Sequence, residues 1–167
     1  MIQTILFATD LGPHTHYLLH HVEELAQQHK AEIIVVHAME PPGHLGDAVV
    51  QAYWGIENKA DYQQDNMADV IDGVKRRIVD MLEDEFIAGH EGLSGVRGVH
   101  VVQGKPADVI LDEAIKNQAD MIILGSHSEA NASENILGSV TSKVLQLSRL
   151  PVYMVPLVRN LVPEAAA

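Results

Sequence analysis

Five short apolar runs alternate along the chain with longer segments in which apolar and polar residues mix. The runs lie at residues 2–8, 33–39, 99–102, 121–124 and 152–155. They are continuous rather than alternating, which is typical of strands that are buried on both faces of a parallel sheet. Pro151 and Pro156 bracket the last run, and such prolines favour a strand at the edge of the sheet.

The segments between these runs repeat their apolar residues at intervals of three and four, which predicts amphipathic helices. They predict helices over residues 15–30 and 66–88, a third helix with Pro106 in its first turn, and a fourth that begins near Ser139. Strands that alternate with helices indicate an α/β fold with helices on both faces of an open five-stranded parallel sheet. If the fourth strand returns to the far side of the first, a crevice opens at their carboxyl ends.

Residues 41–66 carry several prolines and glycines around a mildly apolar stretch at 49–54. We expect a long excursion that starts at the carboxyl end of the second strand, on the side of the crevice. An excursion of this length usually has a function or packs for stability. Two interpretations stay open: a lid over or beside the crevice, or a surface loop that packs Tyr53 and Trp54 on the domain.

Composition narrows the function classes. The 167 residues suffice for one well-buried domain, 47% of them are apolar and 20% are charged. No run approaches the ~18 apolar residues of a membrane span, and no secretion signal is expected. The absence of cysteine excludes disulfides and thiolate metal sites and favours a cytoplasmic location. A net charge of −12 argues against a broad nucleic-acid surface.

Gly125 and the pair Gly138-Ser139 frame the loop between the fourth strand and the fourth helix. A helix that opens with Gly-Ser offers backbone N–H groups, a hydroxyl and the positive end of the helix dipole, all of which favour an anion. The loop is therefore either a phosphate cradle or an ordinary connection capped by serine. Asp10 follows the first strand and would face this loop across the crevice. Dinucleotide-binding and P-loop glycine motifs do not occur in the sequence.

Several of the ten histidines are candidates for a site. His16 and His20 lie four residues apart on the first helix, but no carboxylate matches them in the same turn. We therefore interpret them as part of a solvated helix face and predict no metal site. His37 lies inside an apolar strand and is expected to be a hydrogen-bonded core histidine, whereas His127 is a candidate for the phosphate loop. Because no serine and acid accompany either histidine at a readable spacing, we predict no catalytic residue.

The motif Gly125-x2-Ser128-x9-Gly138-Ser139 is joined by further blocks at residues 5–10, 35–38, 104–107, 119–127 and 151–155. In order and spacing these blocks resemble the universal stress protein family, whose ATP-binding members carry Gly-x2-Gly-x9-Gly-Ser/Thr after the fourth strand. The resemblance indicates one domain over residues 1–156, followed by a tail at 157–167.

The resemblance implies an adenine nucleotide alpha hydrolase-like fold with strand order 3-2-1-4-5. It also implies a homodimer through the edge strand Val152–Val155, and ATP bound with Mg²⁺. By position, Asp10 would hold the ribose, and Ala38 would meet the adenine with Ala8 and Thr9 nearby. The expected surroundings of the phosphates are Gly125, Ser128, Gly138, Ser139 and Val140, with His127 beside them.

Ser128 departs from the family motif, which has glycine at this position. Its Cβ costs on the order of 1 kcal/mol if the backbone has positive φ, which corresponds to binding about fivefold to tenfold weaker. We expect this serine to weaken the site without closing it.

Three functions are compatible with the sequence. The favoured one is a cytoplasmic dimeric regulator or stress-response protein that binds ATP. The second is a nucleotide-free dimeric scaffold that binds an unidentified protein partner. The third is a slow ATPase, for which the sequence offers no evident general base.

Overall fold

A computed structural model describes residues 1–40, 67–88, 95–127 and 137–157. The predictions for residues 41–66, for Ser128 and for the tail beyond Leu157 lie outside these described residues. The strands are β1 (Thr4–Ala8), β2 (Glu32–Met39), β3 (Val96–Gln103), β4 (Met121–Gly125) and β5 (Val152–Val155). The helices are α1 (Thr15–His29), α2 (Met67–Ala88), α3 (Pro106–Lys116) and α4 (Ser139–Leu147).

The five strands form one parallel sheet in the order β3-β2-β1-β4-β5, which confirms the predicted fold class and strand order. β3 begins three residues earlier than the apolar run predicted. Arg97 and Gly98 interrupt the apolar pattern there, and the pairing of β2 with β3 shifts in register between Ile33 and Ile34. Because of this pairing, β3 includes Arg97 and Gly98, although neither residue is typical of a buried strand.

Helices cover both faces of the sheet, as expected. One apolar cluster joins the sheet to α1 and α2 through side chains such as Leu19 and Ile78, both almost fully buried. A second cluster joins the opposite face to α3 and α4 through Ile110 and Val144. The chain therefore passes from one face to the other after β3. Within the described residues, none of the helices has the length and apolar character that a membrane crossing requires.

Polar contacts tie together the amino ends of the strands. Asp120 Oδ2 accepts hydrogen bonds from the backbone N–H groups of Gln3 at 2.7 Å and Thr4 at 3.0 Å. Those bonds lower the pKa of the Asp120 carboxyl below its ordinary value. Arg97 donates to the backbone carbonyl of Asn117 at 2.9 Å and to the Glu32 carboxylate at 3.3 Å. This end of the sheet is closed by contacts within the protein.

A buried carboxylate on α3 belongs to the same network. Glu113 accepts hydrogen bonds from His100 Nδ1 at 2.7 Å, Lys116 Nζ at 3.0 Å and Asn117 Nδ2 at 3.2 Å. Burial alone would raise the pKa of Glu113, but the bonds from His100 and Lys116 outweigh it, and the pKa lies below its ordinary value. The Glu113 carboxylate thus has a donor for each of its oxygens.

Candidate functional site at the carboxyl ends of β1, β2 and β4

A cavity of about 260 Å³ opens at the carboxyl ends of β1, β2 and β4, beside the amino ends of α3 and α4. This is the point at which the strand order reverses direction, because β2 and β4 lie on either side of β1. The cavity is lined by Ala8, Thr9, Asp10, Leu18, Val36, His37, Ala38, Pro106, Ile110, Leu124, Gly125, His127, Gly138, Ser139, Val140, Thr141 and Leu157.

The loop after β1 presents a carboxylate to the cavity. The Asp10 Oδ1 atom accepts a hydrogen bond from the backbone N–H of Gly12 at 2.9 Å, and this bond closes a tight turn. The Oδ2 atom is not used in that bond and can interact with solvent or a ligand. Leu11, between them, has φ 58°, a left-handed conformation that is uncommon for leucine. Its N–H donates to Thr9 Oγ1 at 3.0 Å, which holds the turn in place.

His37 supports this loop from β2. Its ring Nδ1–H donates to the backbone carbonyl of Thr9 at 2.8 Å, and the side chain is buried. Burial lowers the pKa of His37 below its ordinary value, and the bond to Thr9 and the charge of Asp10 oppose this only in part. The prediction of a hydrogen-bonded core histidine is confirmed, and the same histidine also lines the cavity.

The amino end of α4 forms the opposite wall. Gly138 is the residue before the helix, and none of the described side chains caps the helix there. The Gly138 N–H donates to the Ser126 carbonyl at 2.9 Å, so this N–H is already in use. Ser139 and Val140 follow in the first turn, where backbone N–H groups have no partner within the helix. The Thr141 hydroxyl donates to the Gly125 carbonyl at 2.8 Å and fastens the helix to β4.

Both glycines of the motif permit close packing at this wall. A Cβ on Gly138 would lie 3.2 Å from His127 Cα, which is closer than nine in ten Cβ contacts. A Cβ on Gly125 would lie 2.7 Å from Leu157 Cδ1. The first contact involves backbone and the second involves the end of a flexible side chain. Gly138 is therefore the more constrained of the two positions.

One ring nitrogen of His127 has no partner within the part of the chain that the structure describes. Its Nδ1 lies 2.9 Å from Ser126 Oγ, whereas Nε2 is buried and has no hydrogen-bond partner among the described residues. A buried polar atom in this state costs about 1–3 kcal/mol. A ligand with a suitable polar atom would remove that cost.

The structure brings the predicted site residues together. Every described member of the predicted set lines this one cavity: Ala8, Thr9, Asp10, Ala38, Gly125, His127, Gly138, Ser139 and Val140. Their individual roles toward a nucleotide stay predictions. Ser128 lies outside the described residues.

Sequence reasoning missed several residues of the cavity. Thr141 could have been found as a polar residue in the first turn of a helix that follows a glycine loop. Leu157 follows Pro156 in a stretch without periodicity, yet it is buried, and its N–H donates to Ser126 Oγ at 2.9 Å. No local pattern signals that position.

The charge of the cavity is unusual for an anion site. Among its described lining residues there is one carboxylate, Asp10, and no lysine or arginine. Nor do the described ranges contain a group of three or more His, Asp or Glu side chains that could hold a metal ion. An anion here would therefore be held by backbone N–H groups, hydroxyls and imidazole.

Fold and cavity define a Rossmann-like α/β protein whose cleft lies at the switch point of its sheet. The model of the universal stress protein family matches residues 1–156, and this chain belongs to that family. A universal stress protein of Thermus aquaticus is 30% identical over 160 residues, covering 93% of this chain and 99% of the relative. One from Methanocaldococcus jannaschii is 26% identical over 159 residues, covering 93% and 95%.

Solved structures share the fold. The Methanocaldococcus jannaschii protein superimposes with a TM-score of 0.65 at 23% identity, covering 96% of this chain and 98% of its own. A universal stress protein in complex with cAMP gives a TM-score of 0.63 at 21% identity, covering 92% and 97%. One from Archaeoglobus fulgidus in complex with dAMP gives 0.55 at 20%, covering 92% and 98%.

Proposed function

We propose that this protein binds an adenine nucleotide, ATP with Mg²⁺, in the cavity and works as a cytoplasmic stress-response regulator rather than as a fast enzyme. One observation carries the proposal. The amino end of α4, which no described side chain caps, and His127, whose buried Nε2 has no partner among the described residues, both line this one cavity. Both are features that an anionic group would satisfy.

The rest of the cavity suits the other parts of a nucleotide. Val36, Ala38 and Ile110 give an apolar surface at the carboxyl end of β2, as a base requires. Asp10 Oδ2 is an acceptor for ribose hydroxyls. The phosphates would extend toward Ser139 and Val140 at the first turn of α4. The volume of about 260 Å³ lies just below the ~300–1,000 Å³ typical of small-molecule sites.

Two structural neighbours support the choice of nucleotide, since one was solved with cAMP and another with dAMP. Magnesium is bound in proteins by one or two carboxylates together with phosphate oxygens and water. Asp10 is the one carboxylate among the described lining residues. We therefore propose that Mg²⁺ arrives with ATP and is held mainly by phosphate oxygens and water.

Native mass spectrometry of the protein as purified tests this proposal without added ligand. We expect a fraction of the protein to carry a mass increment equal to an adenine nucleotide, and collisional activation should release it as ATP, ADP or AMP. Protein that stays free of ligand, and that takes up no nucleotide after incubation with MgATP, would contradict the proposal.

The proposed regulator is a homodimer formed by antiparallel pairing of β5 with its symmetry mate. The carbonyls of Pro151 and Val155 accept bonds from Ile122 and Ser126 of the β4 segment. Alternation along a strand then directs the N–H and C=O groups of Val152 and Met154 outward. An apolar edge strand with open backbone groups is an aggregation hazard that two-fold pairing removes.

Replacing Met154 by proline tests the dimer, because proline removes an outward N–H and leaves the bonds to β4 in place. Sedimentation at micromolar concentration should report a dimer for the wild type and for the control Met154→Leu, and a monomer for Met154→Pro. A monomeric wild type would contradict the proposed dimer.

A further inference from the structure

We infer that Ser126 fixes the ring of His127 in the tautomer protonated on Nε2, and that this N–H is the side-chain donor that selects a phosphate group in the cavity. The inference rests on the proposed nucleotide site and assigns its specificity to two residues. Ser126 acts as a positioning residue, and His127 as the residue that contacts the ligand.

The hydrogen bonds of the Ser126 hydroxyl determine the tautomer. Its oxygen accepts the N–H of Leu157 at 2.9 Å, and its remaining described partner is His127 Nδ1, also at 2.9 Å. Ser126 is buried, so its O–H needs an acceptor within the protein. If Nδ1 carried the ring proton, it would donate to Ser126 Oγ and leave the hydroxyl proton without a described acceptor. An unprotonated Nδ1 accepts that proton and satisfies both groups.

The consequence for the ligand follows from the other ring nitrogen. With Nδ1 accepting, Nε2 carries the proton and is a donor, and this buried donor has no partner among the described residues. A ligand atom that relieves it must be an acceptor. An anionic phosphate oxygen is a stronger acceptor than a neutral ribose or base atom. The tautomer therefore favours nucleotides over nucleosides.

The backbone of His127 lies beside the amino end of α4, and the residue lines the cavity there. Its Cα packs against Gly138, and the carbonyl of Ser126 accepts the Gly138 N–H at 2.9 Å. The other histidine of the cavity, His37, has its Nδ1–H committed to the Thr9 carbonyl. Because the described lining holds no lysine or arginine, no described cationic side chain competes with the His127 donor for the phosphates.

The tautomer can be measured in the ligand-free protein. Long-range ¹H–¹⁵N NMR on histidine-labelled protein at pH 8 should show His127 protonated on Nε2 and unprotonated on Nδ1. In Ser126→Ala the two tautomers should mix, because the hydroxyl that donates to Nδ1 is gone. Thr141→Val is the matched control: it also removes a buried hydroxyl near the cavity, but one that bonds to Gly125, so the His127 tautomer should not change.

Two substitutions of His127 distinguish the roles of its two ring nitrogens. Glutamine places an amide donor near the position of Nε2, whereas asparagine keeps only a group near Nδ1 that can pair with Ser126. We expect His127→Asn to weaken MgATP binding about tenfold, the size of one charge-assisted hydrogen bond. We expect His127→Gln to stay within about threefold of wild type. Adenosine, which lacks phosphate, should bind all three proteins equally.

The outcomes distinguish this inference from the proposed function. An Nδ1-protonated His127 in the ligand-free wild type overturns the inference. Equal MgATP affinity for wild type and His127→Asn overturns it as well, while the nucleotide site itself stands. Wild-type protein that binds neither MgATP nor adenosine overturns the proposed function, and with it the phosphate contact. The expected tautomer together with a selective loss of MgATP binding in His127→Asn supports the inference.

Discussion

The two ends of the sheet differ in whether their described polar groups have hydrogen-bond partners within the protein. At the amino end, Asp120 accepts two backbone N–H groups and Glu113 has three donors. At the carboxyl end, α4 begins without a cap from any described side chain, and His127 Nε2 has no described partner. The groups named at the amino end have partners within the protein, whereas those named at the carboxyl end are the ones that we propose a ligand completes.

This contrast follows from the parallel arrangement of the strands. All five strands direct their carboxyl ends to one side, where the following loops and the amino ends of α3 and α4 gather. Satisfied groups stabilise the fold, whereas unsatisfied groups lower stability unless a ligand binds to them. We therefore expect substitutions at the amino end of α4 to change affinity, and substitutions of satisfied groups such as Glu113 and His37 to change stability.

The largest expected effect is on affinity, in Gly138→Val. A Cβ at this position already approaches His127 Cα to 3.2 Å, and the valine methyl groups would push the Ser126-His127 segment away from α4. We expect MgATP binding to weaken by at least about 100-fold, or about 2.7 kcal/mol, with little change in the circular dichroism spectrum.

The matched control is Gly95→Val, because a Cβ on Gly95 would meet nothing within 4 Å. It should bind MgATP as the wild type does. If Gly138→Val kept wild-type affinity, the packing of Gly138 against His127 would not shape the site.

The second effect is on stability, in Glu113→Gln. The change removes the negative charge of the carboxylate to which His100, Lys116 and Asn117 donate. We expect a loss of about 1–2 kcal/mol in the free energy of unfolding, measured by urea denaturation. The loss is limited because Lys116 is mostly exposed and can regain water. MgATP affinity should not change.

Asp112→Asn provides the comparison, since Asp112 is an exposed carboxylate on the same helix. It should unfold at nearly the same urea concentration as the wild type. A change in nucleotide affinity in Glu113→Gln would show that the two ends of the sheet are not independent.

The smallest expected effect is a pH dependence of stability, to which His37 at the carboxyl end and Glu113 at the amino end contribute in different pH ranges. His37 has a folded-state pKa below its ordinary value of 6.5, so the unfolded chain binds the proton more readily. Its contribution to stability is fully present above pH 6.5 and is lost as pH falls from there toward the folded-state pKa. The slope for one group is at most about 1.4 kcal/mol per pH unit.

Glu113 acts in a lower pH range. Its folded-state pKa lies below the ordinary value of 4.5, so its contribution is present above pH 4.5 and is lost as pH falls through the folded-state pKa. Urea denaturation from pH 8 downward should therefore show a first decline just below pH 6.5, which His37→Gln reduces. An unchanged slope in that variant would contradict the assignment to His37.

Much of this fold could be predicted from local sequence. The continuous apolar runs and the Pro151 and Pro156 brackets were enough to predict a parallel sheet with β5 at its edge. Asp10 and Gly125 follow such runs directly, which local sequence shows. The strand order that brings them to one crevice was implied by the family resemblance, and the structure confirms that order.

The parts that were missed depend on contacts between distant residues. Leu157 has no pattern around it, and its burial follows from the return of β5 beside β4. The pairing of Ser126 with both His127 and Leu157 joins residues 31 positions apart. Such contacts exist only after the sheet has formed, and the sequence around each residue does not show them.

The central claim is that the open carboxyl end of the sheet is completed by an adenine nucleotide. Isothermal titration calorimetry of ligand-free wild-type protein with MgATP tests it most directly. We predict saturable binding with one nucleotide per chain and a dissociation constant of about 100 μM or tighter, equivalent to about −5.5 kcal/mol. A dissociation constant in the millimolar range or weaker would contradict the account.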